Sequence, residues 1–179
     1  MPKDAKQALC DLIAAAEKLY GPRVQYDIRK VLIFPDKKYA QTIVDTLNKT
    51  ITVHITVFRG HKDAQTIYQL AHEAVHCLCP VSRMDTLYLE EGLAISHALN
   101  EARKLNRNYA ATQRASLQNP WREAFNSFQK WPLDLTKIRN LRWQQPFLDS
   151  VTTDQIQTFL NTSDELAKEL SLRLPCERV

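Results

Sequence analysis

The amino-acid sequence predicts one mainly helical α+β domain with a small sheet in its first third. Its 179 residues, 44% of them hydrophobic and 25% charged, are typical of a soluble globular domain with a substantial core. Only 3 glycines are present, which favours helices over a turn-rich β fold. Strand-like alternation is confined to residues 24–58, and helical periodicity precedes and follows it.

The first 58 residues predict a helix followed by three strands. Apolar residues repeat every three or four positions over residues 3–20, and a Gly-Pro pair ends this helix. Strands are predicted at residues 24–34, 39–45 and 50–58, the last with strict alternation. We expect a mostly antiparallel three-stranded sheet, with His54 on a solvated strand face.

The next predicted helix, residues 63–79, contains the pattern H-E-x-x-H, formed by His72, Glu73 and His76. Residues four apart lie about 40° apart around a helix, so the two histidines can bind a single metal ion. Glu73 is rotated by about 100° from His72 and reaches the same side. A hydrolytic zinc site needs two neutral imidazoles to hold the metal and a carboxylate beside its water.

A further helix, predicted at residues 85–105, offers the third protein ligand that a tetrahedral catalytic zinc requires. Glu91 lies in the middle of its apolar stripe, among Met84, Leu87, Ala94, Ile95, Ala98, Ala102 and Leu105. A buried carboxylate must be paired or bound to a metal, so we expect Glu91 to be the third ligand. Neutralisation of Glu91 by a buried arginine or by hydrogen bonds is the alternative.

The other side of this helix carries Glu90, His97, Glu101 and Lys104 and is interpreted as a solvated face. Glu90 and His97 are the less favoured candidates for the third ligand. The absence of a side chain at Gly92 is expected to let this helix approach the histidine-bearing helix closely.

These two helices together resemble the gluzincin branch of the zincin metallopeptidases, in which H-E-x-x-H is followed by a helix that carries E-G-x-A, here residues 91–94. The resemblance covers residues 63–99 and indicates no subfamily. It implies a single zincin-like domain over residues 1–179. Residues 1–80 would supply the first helix, the sheet and the H-E-x-x-H helix, and residues 81–179 the glutamate helix and a helical half.

The resemblance also implies the roles of the site residues. His72, His76 and Glu91 would bind Zn²⁺ as the cofactor. Glu73 would be the general base that activates the zinc-bound water for attack on a peptide bond. The substrate would be a peptide or a protein.

Two parts of the expected active site are less well defined by the sequence. Related enzymes stabilise the oxyanion with a Tyr or His after the glutamate helix, and Tyr109 is the first candidate by position, ahead of Tyr88 and His97. Zincins bind an extended substrate along the edge strand of their sheet. The strand at residues 50–58 is therefore the candidate for substrate alignment.

The remaining chain predicts further helices. An Asn-Pro pair at residues 119–120 begins one helix, and Pro132 ends it. Sequences typical of capping boxes begin at Thr152 and Thr162 and place helices near residues 153–160 and 163–172. Five aromatic residues are expected to pack the core of this half, namely Trp121, Phe125, Phe128, Trp131 and Trp143.

Charge, cysteine content and hydrophobicity limit the binding partners and the cellular location that we expect for the protein. The net charge of +4 is mild, and the nine Lys or Arg against three Asp or Glu within residues 101–142 form no compact cluster, so a solvated surface is favoured over nucleic-acid binding. Four cysteines form no C-x-x-C pair, and Cys77 and Cys79 are expected to pack as reduced thiols and not to bind metal. No apolar run approaches the ~20 residues that span a membrane, and no signal peptide is recognised, so a cytoplasmic location is expected.

Two other functions remain open beside a zinc metallopeptidase. The first is a zinc-stabilised binding or regulatory protein without catalytic activity, against which Glu73 argues because a structural metal site needs ligands but no base. The second is a basic adaptor for nucleic acid or an acidic protein, in which the metal motif is accidental. The position of Glu91 on an apolar helix face argues against this adaptor.

Overall fold

The computed structural model describes residues 4–34, 40–56, 62–81, 86–132 and 134–174, which form three strands and eight α-helices. The strands are β1 (Asp27–Phe34), β2 (Gln41–Asp45) and β3 (Thr50–Thr56). The helices are α1 (Ala5–Tyr20), α2 (Lys62–His76), α3 (Tyr88–Leu105), α4 (Arg107–Ser116), α5 (Trp121–Gln129), α6 (Leu135–Gln144), α7 (Thr153–Leu160) and α8 (Asp164–Leu170). A single 3-10 turn, Leu148–Ser150, lies between α6 and α7. The predicted α+β class is confirmed.

Parts of several predicted elements lie outside the described residues. They are the helix start at residue 3, the strand residues 39, 57 and 58, and Met84 and Asp85 before α3. Cys176, one of the four cysteines, also lies outside them.

The three strands form a mixed sheet in the order β1-β3-β2. β1 pairs with β3 in parallel and β2 pairs with β3 antiparallel, so the expectation of a mostly antiparallel sheet is wrong. The chain passes from one edge of the sheet to the other and then returns to the middle. Alternation along a strand identifies its faces but not its neighbours, because pairing depends on contacts between distant residues.

The central position of β3 corrects two expectations. It is not an edge strand of this sheet, so the strand predicted to align the substrate is already paired on both sides. His54 is 8% exposed and not solvated, because the Phe34 ring lies against it with the ring centroids 4.9 Å apart. Large side chains on a neighbouring strand reach diagonal positions and can cover the outer face of a central strand.

Helices α1 and α2 pack on the inner face of the sheet, where Ile51, Val53 and Ile55 are buried. The polar end of β3 is joined to α2 by two glutamines one turn apart. The Thr56 backbone N–H donates to Gln69 Oε1 over 2.6 Å, and Gln65 Nε2 donates to the Thr56 carbonyl over 3.3 Å. These bonds fix α2 along the sheet and therefore set the direction of its site-bearing face.

Helix α3 is buried on nearly all sides along its first two thirds. The solvated face predicted for it is wrong at Glu90 and His97 but is confirmed at Lys104, whose side chain is 68% exposed. Its buried residues are Tyr88, Leu89, Glu90, Glu91, Gly92, Leu93, Ala94, Ile95, His97, Ala98, Leu99 and Ala102. The helix packs against α2, α4 and α5, which together leave it no broad solvent-facing side. A polar stripe on such a helix faces other protein groups, and a helical wheel alone does not reveal this.

Gly92 permits the close approach of α3 to α5, and not to the histidine-bearing helix as expected. A Cβ atom at Gly92 would lie 2.8 Å from Phe128 Cγ and 3.0 Å from the Ala124 carbonyl oxygen. Both atoms belong to α5, and Phe128 is 1% exposed. Neither the ring nor the backbone has room to withdraw without disturbing the core.

The C-terminal part of the described chain holds the start of α3. The Tyr88 N–H donates to the Leu172 carbonyl over 2.8 Å, and the Leu174 N–H donates to the Thr86 carbonyl over 2.9 Å. Leu87 and Arg173 form the antiparallel bridge between these two bonds. The residues immediately before the two glutamates of α3 are thus paired with a segment more than 80 positions later in the chain.

The remaining helices and their caps agree only in part with those predicted from the sequence. The capping box of α7 at Thr152 and Gln155 is confirmed, whereas α8 is capped by Ser163 and not by Thr162. α4 and α6 were not predicted; their caps are Asn106 and Asp134. Trp131 is 4% exposed, but Trp143 is 68% exposed and does not belong to the core, contrary to expectation. No helix within the described ranges is both long and apolar enough to cross a membrane.

Replacement of Gly92 by Ala tests the contact between α3 and α5. We expect Gly92→Ala to lower the free energy of unfolding, because overpacking costs about 1–3 kcal/mol. This exceeds the gain of at most ~1 kcal/mol from the higher helix propensity of alanine. Urea denaturation followed by circular dichroism measures the change. Asn100→Ala, at an exposed position of the same helix, is the control and should leave stability nearly unchanged. A Gly92→Ala protein as stable as the wild type would contradict the close approach.

Candidate metal centre

Helices α2 and α3 bring His72, His76 and Glu91 together, as the sequence predicted. His72 Nε2 lies 3.1 Å from Glu91 Oε1, and His76 Nε2 lies 3.5 Å from Glu91 Oε2. The two Nε2 atoms are 3.2 Å apart. Each of the three residues thus offers one donor atom to the same point, and the cluster can hold a metal ion.

The helical positions of the two histidines explain their convergence. His72 and His76 are one turn apart on α2, so their rings lie on the same face, with centroids 5.0 Å apart. Their side chains keep 17% and 14% of their exposure, whereas the Glu91 side chain keeps 4%. The carboxylate therefore forms the buried floor of the cluster, and the histidines are its partly accessible side.

The ionic state of the cluster is set by these contacts. Burial alone would raise the pKa of Glu91, but the charge of His72 and hydrogen bonds from both histidines outweigh it and hold that pKa well below its usual range. Burial would lower the pKa of His76, but hydrogen bonds to Glu90 and Glu91 and their negative charges raise it well above its usual range. Without a metal ion, these contacts favour a protonated His76 between the carboxylates of Glu90 and Glu91.

Glu73 directly follows His72 on α2 and is 3% exposed. Thr42 Oγ1, from strand β2, donates a hydrogen bond to Glu73 Oε2 over 2.6 Å. Thr42 was not predicted as a site residue, because a threonine in a short strand belongs to no sequence motif. The only available signal was its position on the inward-facing side of that strand, opposite Val53 of β3.

Glu90 is the second residue whose role the sequence analysis missed. It is 1% exposed, and its Oε1 lies 2.8 Å from His76 Nδ1. The solvated position expected for Glu90 is therefore wrong, because the side of α3 that carries it also faces protein. The two adjacent glutamates contact different ring nitrogens. Glu90 contacts Nδ1 of His76, and Glu91 contacts Nε2 of both histidines.

The three oxyanion candidates occupy different surroundings. Tyr109 is on α4 in a small cluster with Ala64, Ala102 and Ala110, and burial raises its pKa to about 12. Its role as an oxyanion donor stays a prediction. The Tyr88 hydroxyl donates to Glu123 Oε2 over 3.1 Å.

His97 is buried and neutral. Its Nδ1 lies 3.2 Å from the Tyr20 hydroxyl of α1. Burial lowers the pKa of His97 to about 4 against the opposing negative charge of Glu101. Its interpretation as part of a solvated face is wrong.

Tyr68 is a further aromatic residue near the cluster that the sequence analysis did not select. It lies one helical turn before His72 on α2, and its ring meets the Tyr109 ring edge to face at 6.4 Å between centroids. Burial raises its pKa well above the usual range, and the negative charge of Glu91 adds to this effect. Tyr68 therefore lies within electrostatic reach of the cluster.

Two of the cysteines lie near the centre but pack in the core, as expected. Cys77 and Cys79 are each 2% exposed and belong to the main hydrophobic cluster. Burial raises the pKa of the Cys79 thiol to about 11 and that of Cys77 still higher. Both thiols are therefore protonated at neutral pH in the metal-free protein.

No protein-family model, curated protein or solved structure matches this chain.

The buried His97 predicts a dependence of stability on pH. The unfolded chain protonates a histidine near pH 6.5, but native His97 resists protonation until about pH 4. Stability is therefore fully present above pH 6.5 and is lost as the pH falls toward 4. For this one group the loss is about 2 kcal/mol between pH 7.5 and pH 5.

His97→Gln should remove this part of the pH dependence, as measured by urea unfolding in the presence of a chelator at both pH values. Tyr20→Phe is the control: it deletes the hydroxyl that contacts His97 but keeps the imidazole, so it should retain the wild-type difference between the two pH values. A His97→Gln protein with the wild-type pH dependence would show that His97 is not kept neutral in the native state.

Proposed function

We propose that this protein is a zinc-dependent metallopeptidase of the zincin type. The observation that carries the proposal is the convergence of His72, His76 and Glu91 on one point beside Glu73. An accidental H-E-x-x-H pattern would not be expected to meet a buried carboxylate from another helix. The order of the ligands along the chain and the Glu-Gly pair at residues 91–92 support the same proposal.

The donor set fits zinc. Zinc binds imidazole nitrogen and carboxylate oxygen at about 2.0–2.2 Å, so ligand atoms at two corners of a tetrahedron are about 3.3–3.6 Å apart. The two Nε2 atoms are 3.2 Å apart, and each lies 3.1 or 3.5 Å from one of the two oxygens of the Glu91 carboxylate. Two imidazoles and one carboxylate are also the ligands of a catalytic zinc, which keeps its fourth position for water or substrate.

In this proposal Glu73 performs the proton transfers. A zinc ion at this site would lower the pKa of a coordinated water from ~15.7 toward ~7 and polarise the substrate carbonyl. Glu73 accepts a proton from the attacking water and later returns a proton to the leaving amine. The Thr42 hydrogen bond to Glu73 Oε2 orients the carboxylate for these transfers.

The substrate would be an extended peptide aligned along β2. Among the described strands, β2 is an edge strand, and its Thr42 contacts the general base. β3, the strand originally expected to take this role, is excluded because β1 and β2 pair with both of its sides. Addition of a peptide as a further strand would give main-chain hydrogen bonds without demanding one sequence.

A zinc-stabilised binding protein remains the second candidate. The observation in its favour is the 3% exposure of Glu73, together with the short bond from Thr42 that already occupies one carboxylate oxygen. A structural network would have the same two properties. The two candidates differ in what they predict for Glu73, because a structural site has no use for a proton acceptor beside the metal.

The metal content of the purified protein tests the site. We expect one zinc ion per wild-type chain by elemental analysis and loss of stoichiometric zinc in His76→Ala and Glu91→Ala, because each removes one of three ligands. Glu165→Gln, at an exposed position of α8, is the control and should keep the metal. A wild-type chain that binds no zinc even after reconstitution would exclude both zinc candidates.

Glu73→Gln separates the peptidase from the binding protein. The amide cannot accept the proton, so turnover of a fluorogenic peptide library should fall by about 10²–10⁴-fold. Zinc stoichiometry should stay at the wild-type value, because Glu73 is not a ligand. Full turnover in the Glu73→Gln protein would exclude this mechanism. A zinc-loaded wild type that cleaves no library member would favour the binding protein.

A further inference from the structure

His76 has a carboxylate at each of its ring nitrogens. Its Nε2 faces the ligand cluster, at 3.2 Å from His72 Nε2 and 3.5 Å from Glu91 Oε2. Its Nδ1 faces the other way and lies 2.8 Å from Glu90 Oε1. Glu90 is therefore on the far side of the ring from the point where the metal ligands converge, and it does not belong to the ligand set.

We propose that Glu90 is a positioning residue that accepts the Nδ1–H of His76 and thereby directs Nε2 toward the metal. This inference rests on the zinc site of the proposed function. A neutral imidazole carries one proton on either nitrogen, and only the nitrogen without it can bind a metal. A carboxylate at Nδ1 fixes the proton there and leaves the Nε2 lone pair for the metal.

The surroundings of Glu90 support this role. The residue is 1% exposed, and burial of a carboxylate is unfavourable unless partners compensate for the lost water. In the described part of the chain its second oxygen, Oε2, is buried without a hydrogen-bond partner. The hydrogen bonding of this carboxylate is thus directed at His76, and a residue needed only for packing would be better replaced by an apolar side chain of similar size.

The fold also explains why Glu90 and Glu91 contact different nitrogens of the histidines. Consecutive residues of a helix point about 100° apart, so Glu90 and Glu91 leave α3 in different directions. Both still reach α2, because the start of α3 packs closely against it. Glu91 reaches the Nε2 atoms of both histidines, whereas Glu90 reaches behind the ring of His76.

Zinc affinity of Glu90 variants tests the proposal without a substrate. The dissociation constant would be measured for wild type, Glu90→Ala, Glu90→Gln and Glu91→Ala by competition with a chromophoric chelator. We expect Glu90→Ala to bind one zinc ion with a dissociation constant raised about 10–100-fold, the usual effect of removing a group that orients a metal-bound histidine. Glu90→Gln should recover much of this loss, because its amide oxygen still accepts the Nδ1–H. Glu165→Gln should match the wild type.

Cobalt substitution separates positioning from a loss of stability. The visible absorption bands of bound Co²⁺ depend on ligand geometry, so Glu90→Ala should shift them while Glu90→Gln restores the wild-type bands. Thermal unfolding of the metal-free proteins shows whether each variant is folded. If Glu90→Ala does not fold, the affinity and Co²⁺ spectrum of Glu90→Gln against Glu165→Gln decide: a dissociation constant and bands equal to those of the control support the proposal, and complete loss of metal overturns it.

Two results for a folded Glu90→Ala protein would overturn the proposal. A dissociation constant within about twofold of the wild type would show that His76 needs no partner at Nδ1. Complete loss of zinc in both Glu90→Ala and Glu90→Gln, equal to that in Glu91→Ala, would show that Glu90 is itself a ligand. Failure of the zinc site is distinguishable from these results, because the wild type would then bind no zinc.

Discussion

Two adjacent carboxylates, Glu90 and Glu91, are buried against two histidines of the neighbouring helix, and the packing of the remaining elements is consistent with this contact. Buried charges are tolerated only when they are paired at close range, so α2 and α3 cannot slide or rotate relative to each other without losing that pairing. The sheet and the hydrogen bonds of Gln65 and Gln69 fix the position of α2. The close contact of Gly92 with α5 fixes the position of α3.

The site combines supports from two separate layers of the protein. The three residues that could hold a metal ion come from the helices α2 and α3, whereas the residue that holds Glu73 comes from the sheet. Thr42 therefore connects the Glu73 carboxylate to the strand proposed to align a peptide. A substrate that added to β2 would be in contact with the same strand that orients the base, so binding and proton transfer would share one structural element.

The sequence was sufficient for features that depend on local spacing. The ends of α1 and α3 at residues 20 and 105, the Thr152 capping box and the grouping of His72, His76 and Glu91 follow from periodicity and from the chemistry of single side chains. Strand order and the burial of His54 did not follow, because they depend on which distant segments pair.

The predicted solvated position of Glu90 was wrong for a related reason. A helical wheel assigns each residue to one apolar or one polar side, and it cannot represent a helix such as α3 that is enclosed by partners on several sides. The same wheel placed His97 in solvent, although the Tyr20 hydroxyl lies against its ring. Polar residues on an enclosed helix become visible only when the neighbouring helices are in place.

The pairing of Thr86–Tyr88 with Leu172–Leu174 has a consequence for the order of events during synthesis. A nascent chain that has reached residue 160 already contains both histidines and both glutamates of the site. It still lacks the segment that ties down the beginning of α3. The start of α3 can therefore be paired only after residues 172–174 have left the ribosome, and a fragment that ended before them would carry all four site residues without this backbone pairing.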